Sequence, residues 1–310
     1  GSRGLGDVYK RQLMTFALSS CESACKVETL GENGEKVTYT IQKTEDKEEV
    51  VSALTALSTV VPVEEEYTGL QASLKANFLL KSGEEKVDFT GSANWIMQPE
   101  TLNFSGSLDA KLGLNLSTAS GLSMSMKDTY QFSGKLYGDI SNLYTDISLK
   151  SNSLDMGMKY KFNLSDIFPS DDELPPSDQT SPAIPDLSTL DLAEIVEKYQ
   201  ITIPKTTSNT VTFRLAVPAS ELSAEITAEA YLYVYAEVDI RTLLPVSFKV
   251  DAEEMLTAII SEDTTETITV KCSVEGSVKY GEYLPTVLTE EQKSDYEDFT
   301  GLEDNNGSLV

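Results

Sequence analysis

The chain has 310 residues, with 24 Lys and Arg against 50 Asp and Glu, a net charge of −26, and 40% apolar residues. Such a charge opposes binding to a nucleic-acid backbone, while the apolar share suffices for a buried core. Histidine is absent, which excludes Ser-His-Asp and Cys-His nucleophile activation as well as imidazole metal sites.

Residues 13–20, LMTFALSS, form a short apolar stretch that ends in small residues directly before Cys21. Leu18, Ser19, Ser20 and Cys21 resemble a bacterial lipobox, in which the Cys receives a diacylglyceryl group and becomes the new N-terminus. Residues 1–20 are read as an artefact, GSRGLGDVYKRQ, followed by a truncated lipoprotein signal peptide, and are set aside from the fold. Their removal takes away Arg3, Lys10, Arg11 and Asp7 and leaves −28. Two or three acyl chains on Cys21 would anchor the protein firmly to a membrane, extracytoplasmic and in the cell envelope. No run of eighteen apolar residues occurs.

Residues 21–43 read as a polar tether that includes Cys25. From 45 to 61, Val50, Leu54, Leu57 and Val61 make one helical stripe with Thr44 as N-cap and Pro62 beyond the end. The period then changes to two. Leu70 to Leu80 and Val87 to Met97 alternate on either side of Ser82-Gly83-Glu84 and predict a hairpin. Leu102–Leu116, Leu122–Met126, Tyr130–Leu136, Tyr144–Leu149 and Leu154–Leu164 extend it to about seven antiparallel strands in meander order. Five of the eleven prolines fall in an acidic stretch at 169–189, expected as an exposed excursion. A short helix follows at 191–199. Strands are expected at Val211–Val217, Ile226–Ile240, Val246–Val250 and Ile268–Tyr280, with a helix over 252–261; the two strand sets are expected to join in one sheet. The acidic residues 286–310 read as a C-terminal tail.

Met97, Met124, Met126, Met156 and Met158 fall on predicted strands, each in phase with other apolar residues, and Trp95 shares the phase of Met97. Flexible thioethers suit changeable apolar partners, so this face is a candidate for acyl chains; a core that uses Met as filler has the same alternation. Cys272 reads as a small core residue, and a Cys25–Cys272 disulfide is compatible with the sequence.

The acylated Cys, N-terminal helix, long meander, Pro-rich crossover and the segment Asp239–Val250 resemble, in organisation, the lipoprotein-localisation-factor superfamily over residues 44–285. That resemblance implies an α+β, mostly β fold. Its strongly curved antiparallel sheet, a half-barrel, would have a few short helices packed on its concave side and a hollow for lipid.

There is no G-x-S-x-G, P-loop, G-x-G-x-x-G or paired C-x-x-C motif, and the acidic clusters at 171–173 and 303–306 lack calcium-loop spacing. No enzyme, cofactor, metal or nucleic-acid partner is expected. Two functions remain: a membrane-anchored lipoprotein binding a lipid or other apolar ligand, and a non-catalytic surface interaction or structural lipoprotein with a packed core.

Overall fold

A computed structural model of the chain describes residues 24–30, 35–63, 66–117, 125–164, 191–222, 229–261 and 268–299. Most of them are in strands: β1 (Cys25–Leu30), β2 (Lys36–Ile41), β3 (Gly69–Ser82), β4 (Glu85–Met97), β5 (Phe104–Ser117), β6 (Ser125–Gly138), β7 (Asn142–Lys150), β8 (Asp155–Asn163), β9 (Thr202–Thr206), β10 (Thr210–Pro218), β11 (Tyr231–Asp239), β12 (Pro245–Asp251), β13 (Ile268–Gly281) and β14 (Glu297–Asp298). The helices are short: α1 (Lys47–Ser58), α2 (Leu192–Lys198), α3 (Ala219–Leu222), α4 (Glu253–Ser261) and α5 (Glu290–Lys293). β1 and β2 pair alone. The other strands form a large, curved, unclosed sheet in the order β14-β8-β7-β6-β5-β4-β3-β13-β12-β11-β10-β9, antiparallel except where β14 runs parallel to β8. The mostly β class and the joining of both strand sets agree with the expectation.

By contacts the chain divides into two compact units: Gly1–Glu64 with Pro185–Ala216 and Tyr235–Val246, and Glu65–Ile184 with Val217–Val234 and Ser247–Val310. This division differs from the single domain expected over 44–285.

The first unit holds a close-packed core. Cys25, Val27 and Ile41 from the β1–β2 hairpin meet Val50 and Ala53 of α1, Val196 of α2, and Ile203, Val211 and Phe213 of β9 and β10. Residues 25–30 and 35–41, expected within a tether, are therefore structural: Cys25, Val27 and Thr29 are buried and alternate with exposed Lys26 and Glu28. Three inward positions are too short a period to stand out among polar neighbours. α1 starts two residues later than expected because Asp46 is its N-cap; its Oδ1 accepts from the amides of Glu48 and Glu49 at 3.0 and 3.1 Å. Thr44 instead bridges to Ile203 through paired backbone hydrogen bonds of 2.9 Å. β9, which was not expected, is buried on both sides of the chain at Thr202 and Ile203, so it shows no alternation.

The Cys25 thiol donates weakly to the Ser208 carbonyl at 4.0 Å. Burial, aided by the nearby Asp239 carboxylate, pushes its pKa up to about 11. Because the fold favours the neutral thiol, its contribution is full below the unfolded value of 9.0 and is lost as pH rises toward 11. Urea unfolding at pH 8, 9, 10 and 11 should show a stability decline that Cys25→Ala reduces. An identical decline in that variant would contradict the burial.

The second unit is built on β3 to β8 with β12, β13 and β14. The expected hairpin is there: Leu80 faces Val87 and Leu70 faces Met97, around a turn in which Gly83 takes φ +56°, a left-handed conformation that glycine adopts without steric cost. Six strands, not seven, make the meander, because Met126 and Tyr130–Leu136 lie on one continuous strand, β6. Leu122 and Met124 lie outside the described residues, as do Cys21 and the 169–189 excursion. Cys25 and Cys272 are free thiols, with no disulfide between them.

Residues 282–299 are also more ordered than a tail. They cross the polar side of this sheet strand by strand: Tyr283 lies on Gly69 of β3, the Thr286 amide donates to Ser105 Oγ of β5 at 2.9 Å, and the Tyr296 ring meets Tyr144 of β7 edge-on at 5.4 Å. Lys293 sits over the same Tyr144 ring at 6.0 Å, leaving it 5% exposed. The segment ends with β14 on the β8 edge and Phe299 against Phe162 at 4.7 Å. An acidic composition concealed these aromatic attachments, whose partners lie more than a hundred residues away in sequence.

Candidate functional site

Residues paired across an antiparallel ladder point to the same side of the sheet. Following the register from β12 to β8 therefore assigns each side chain of the second unit to one of two faces.

The first face is apolar. One row runs Phe248, Gly276, Leu74, Ala93, Leu108, Gly134, Ile147, Met158, and the next runs Val250, Val274, Ala76, Gly91, Ala110, Phe132, Leu149, Met156. Trp95, Met97, Met156 and Met158 all lie on this face. Those four of the six candidates share one surface; Met124 and the Met126 side chain lie outside the described residues. Val270 and Ala72 of that surface are buried, but its aromatic and methionine side chains are not. Trp95 is 36% exposed, Met156 38% and Phe248 42%, and most others are half-buried. The largest fully buried side chains are all in the first unit. Several rings lie flat over glycines of the neighbouring strand: Phe104 covers Gly138, Phe248 covers Gly276, and the Trp95 Cβ is 3.0 Å from where a Gly106 side chain would begin. The sheet thereby covers part of its own backbone with apolar rings.

The second face is polar, and it carries the hollow. A cavity of about 550 Å³ is lined by Lys75, Asn77, Thr90, Ser92, Asp109, Lys111, Gln131, Ser133, Ser148 and Lys150, which belong to five successive strands, β3 to β7. These strands are neighbours in the sheet, so the hollow extends across all five. The expected site residues, Trp95 and the methionines, do not line this cavity; they belong to the opposite face. Among the described residues no helical residue lines it. In this unit α4 packs on β13.

Charge is segregated with the same period. The polar face carries Lys75 and Lys81 from β3, Lys86 from β4, Lys111 from β5, Lys127 and Lys135 from β6, and Lys150 from β7. Lys159 and Lys161 of β8, Lys249 of β12, and Lys271 and Lys279 of β13 complete it. The acids on that face are Asp88, Asp109, Asp146, Asp155, Asp251 and Glu275. Twelve lysines against six carboxylates leave the side chains of β3 to β8, β12 and β13 on this face net positive in a chain of charge −26, before the acids of the crossing segment 282–299 are added. At one end the crossing segment neutralises it through Asp295 to Lys159 at 3.6 Å and Asp298 to Lys161 at 3.2 Å. Within the hollow, Lys75 pairs with Glu275 at 3.8 Å and Lys150 with Asp155 at 3.5 Å, all four side chains more than half exposed. Such pairs contribute little and exchange readily. Lysines were passed over in the sequence because their meaning depends on strand phase. Marking each against the apolar alternation would have put them together.

Elsewhere in this unit, Asp251 keeps its carboxyl below the usual range. Burial opposes this, but Lys249, at 2.9 Å, and the Glu253 amide favour the carboxylate. A second cavity of about 610 Å³ adjoins Tyr233, Asp251, Glu253, Glu254, Thr257 and Ala258, with the Tyr233 hydroxyl donating to Glu254 at 2.7 Å. Among the described residues no three His, Cys, Asp or Glu side chains form a metal-binding group, and no helix is long and apolar enough to cross a membrane.

No protein-family model matches the chain, and no curated protein is significantly similar to it. Neither comparison supports the resemblance to the lipoprotein-localisation-factor superfamily. Among solved structures there is a slight likeness to a beta-barrel-like protein of a domain of unknown function (DUF1849) from Brucella abortus. The two are 8% identical, with 70% of this chain and 98% of that one covered and a TM-score of 0.17.

Proposed function

We propose that this chain is a non-catalytic envelope lipoprotein, held to a membrane through an acylated Cys21, whose large sheet binds a lipid or other apolar ligand on its open apolar face. The observation that carries the reading is that face itself. An extended surface of Leu, Phe, Met and Trp side chains, with Trp95, Met156 and Phe248 more than a third exposed, exceeds the scattered apolar residues of an ordinary protein surface. Continuous patches of this kind mark binding sites for apolar partners. The methionines add adaptability to acyl chains of varied length and bend. The lipobox-like sequence before Cys21 supports the anchor.

An organic extract of the purified full chain carrying Cys21→Ser should contain lipid at a stoichiometric amount by mass spectrometry. Met156→Glu and Met158→Glu should remove it while leaving the circular dichroism spectrum unchanged, since both positions are partly exposed. Lipid-free extracts, together with no uptake of a fluorescent fatty acid, would overturn the reading. A structural or protein-interaction role would then stand, and one observation already favours it: rings laid down over Gly138 and Gly276 make the face a finished surface rather than a lined hollow.

A further inference from the structure

We propose that the polar hollow binds an acidic oligosaccharide, a hydroxyl-rich chain with an acid group on every second ring. This concerns the face opposite the lipid-binding one and stands whether or not that reading holds. Its first support is charge complementarity, because the only face of this sheet rich in lysine surrounds the cavity, in a chain that is otherwise strongly acidic. Its second is the order of groups across the strands. Lys75, Lys111 and Lys150 stand on β3, β5 and β7, so a cation recurs at every second strand, about 10 Å apart. Between them β4 and β6 present hydroxyl and amide groups, and Asp109 supplies an acceptor for sugar hydroxyls.

An isolated phosphate would meet one lysine at a time. A chain whose acids are separated by an uncharged ring meets all three while its hydroxyls reach the neutral strands between. Phe132 is the one aromatic residue at the cavity, and the register turns its ring to the opposite face, so the flat bases of a nucleic acid have nothing to stack on. The volume of about 550 Å³ is that of a small-molecule site, and the exposed pairs with Glu275 and Asp155 can be exchanged for ligand acids.

Isothermal titration calorimetry on the full chain with Cys21→Ser provides the test. The probe is a hexasaccharide of alternating glucuronic acid and N-acetylglucosamine; the control is the uncharged N-acetylglucosamine hexamer. The acidic hexamer should bind, the neutral one should not, and affinity should fall as sodium chloride rises. Lys111→Gln should weaken binding about tenfold. The triple variant K75Q/K111Q/K150Q should abolish it with unchanged circular dichroism and melting, whereas Lys26→Gln in the other unit and Met158→Glu on the other face should leave it intact. Absence of binding, equal binding of the neutral hexamer, retention by the triple variant, or displacement by inorganic phosphate at the hexamer's own concentration would each overturn the proposal.

Discussion

Ile203→Ala should lower the stability of the first unit by about 3 to 4 kcal/mol. Ile203 is fully buried, in the core formed with Val50, Val196 and Val211, and its backbone also pairs with Thr44. Truncation leaves a void that neighbours on two helices and three other strands cannot all move to fill. With Cys21 and Cys272 replaced by serine, Cys25 becomes the only thiol, and its reaction with a disulfide reagent along a urea series reports unfolding of this core. A midpoint unchanged from the parent would show that the core is not packed as described. Met156→Ala, on the open face of the sheet and 38% exposed, should cost about 1 kcal/mol or less by the same reasoning, since little of its surface leaves water on folding.

The second large effect is expected at Gly69. A Cβ there would run into the backbone carbonyl of Tyr283, and a backbone atom cannot rotate aside as a side chain does. Gly69→Ala should therefore cost about 2 kcal/mol or more and lift the start of the segment 282–299 from the sheet. Chymotrypsin should then cleave near Tyr283 and Tyr296 faster than in the parent, with fragments read by mass spectrometry. Gly157→Ala is the matched control, because the nearest atom to its added Cβ is the Ile147 carbonyl oxygen at an ordinary 4.0 Å. Equal protease sensitivity in the two variants would contradict the crossing path.

The parts of this fold that were legible in the sequence are those governed by local period. Alternation from Leu70 to Met97, broken by Ser82-Gly83-Glu84, placed the β3–β4 hairpin almost to the residue, and Asp191 marked the start of α2 where its Oδ1 accepts from Ala193 and Glu194. The parts that were not legible depend on distant partners. Cys25 and Val27 look like tether until Ile203 and Val196 close over them, and Tyr296 looks like tail until Tyr144 is beneath it. Alternation likewise separates two faces of a strand without saying which of them bends inward. Trp95, Met97, Met156 and Met158 share one face of the sheet, whereas the cavity opens on the other, among lysines that strand phase alone could have collected.

Burial of Cys25 has a further consequence for how an acylated Cys21 would hold the protein. Only four peptide steps separate the two cysteines, a leash of at most about 14 Å, where a spacer running to residue 43 could pay out roughly 75 Å. The stand-off from the leaflet would then be set by a few residues, and the core around Cys25 would ride directly above the head groups. For a chain that would carry −28 once residues 1–20 are removed, leaflets poor in anionic lipid would let it settle and anionic ones would push it away.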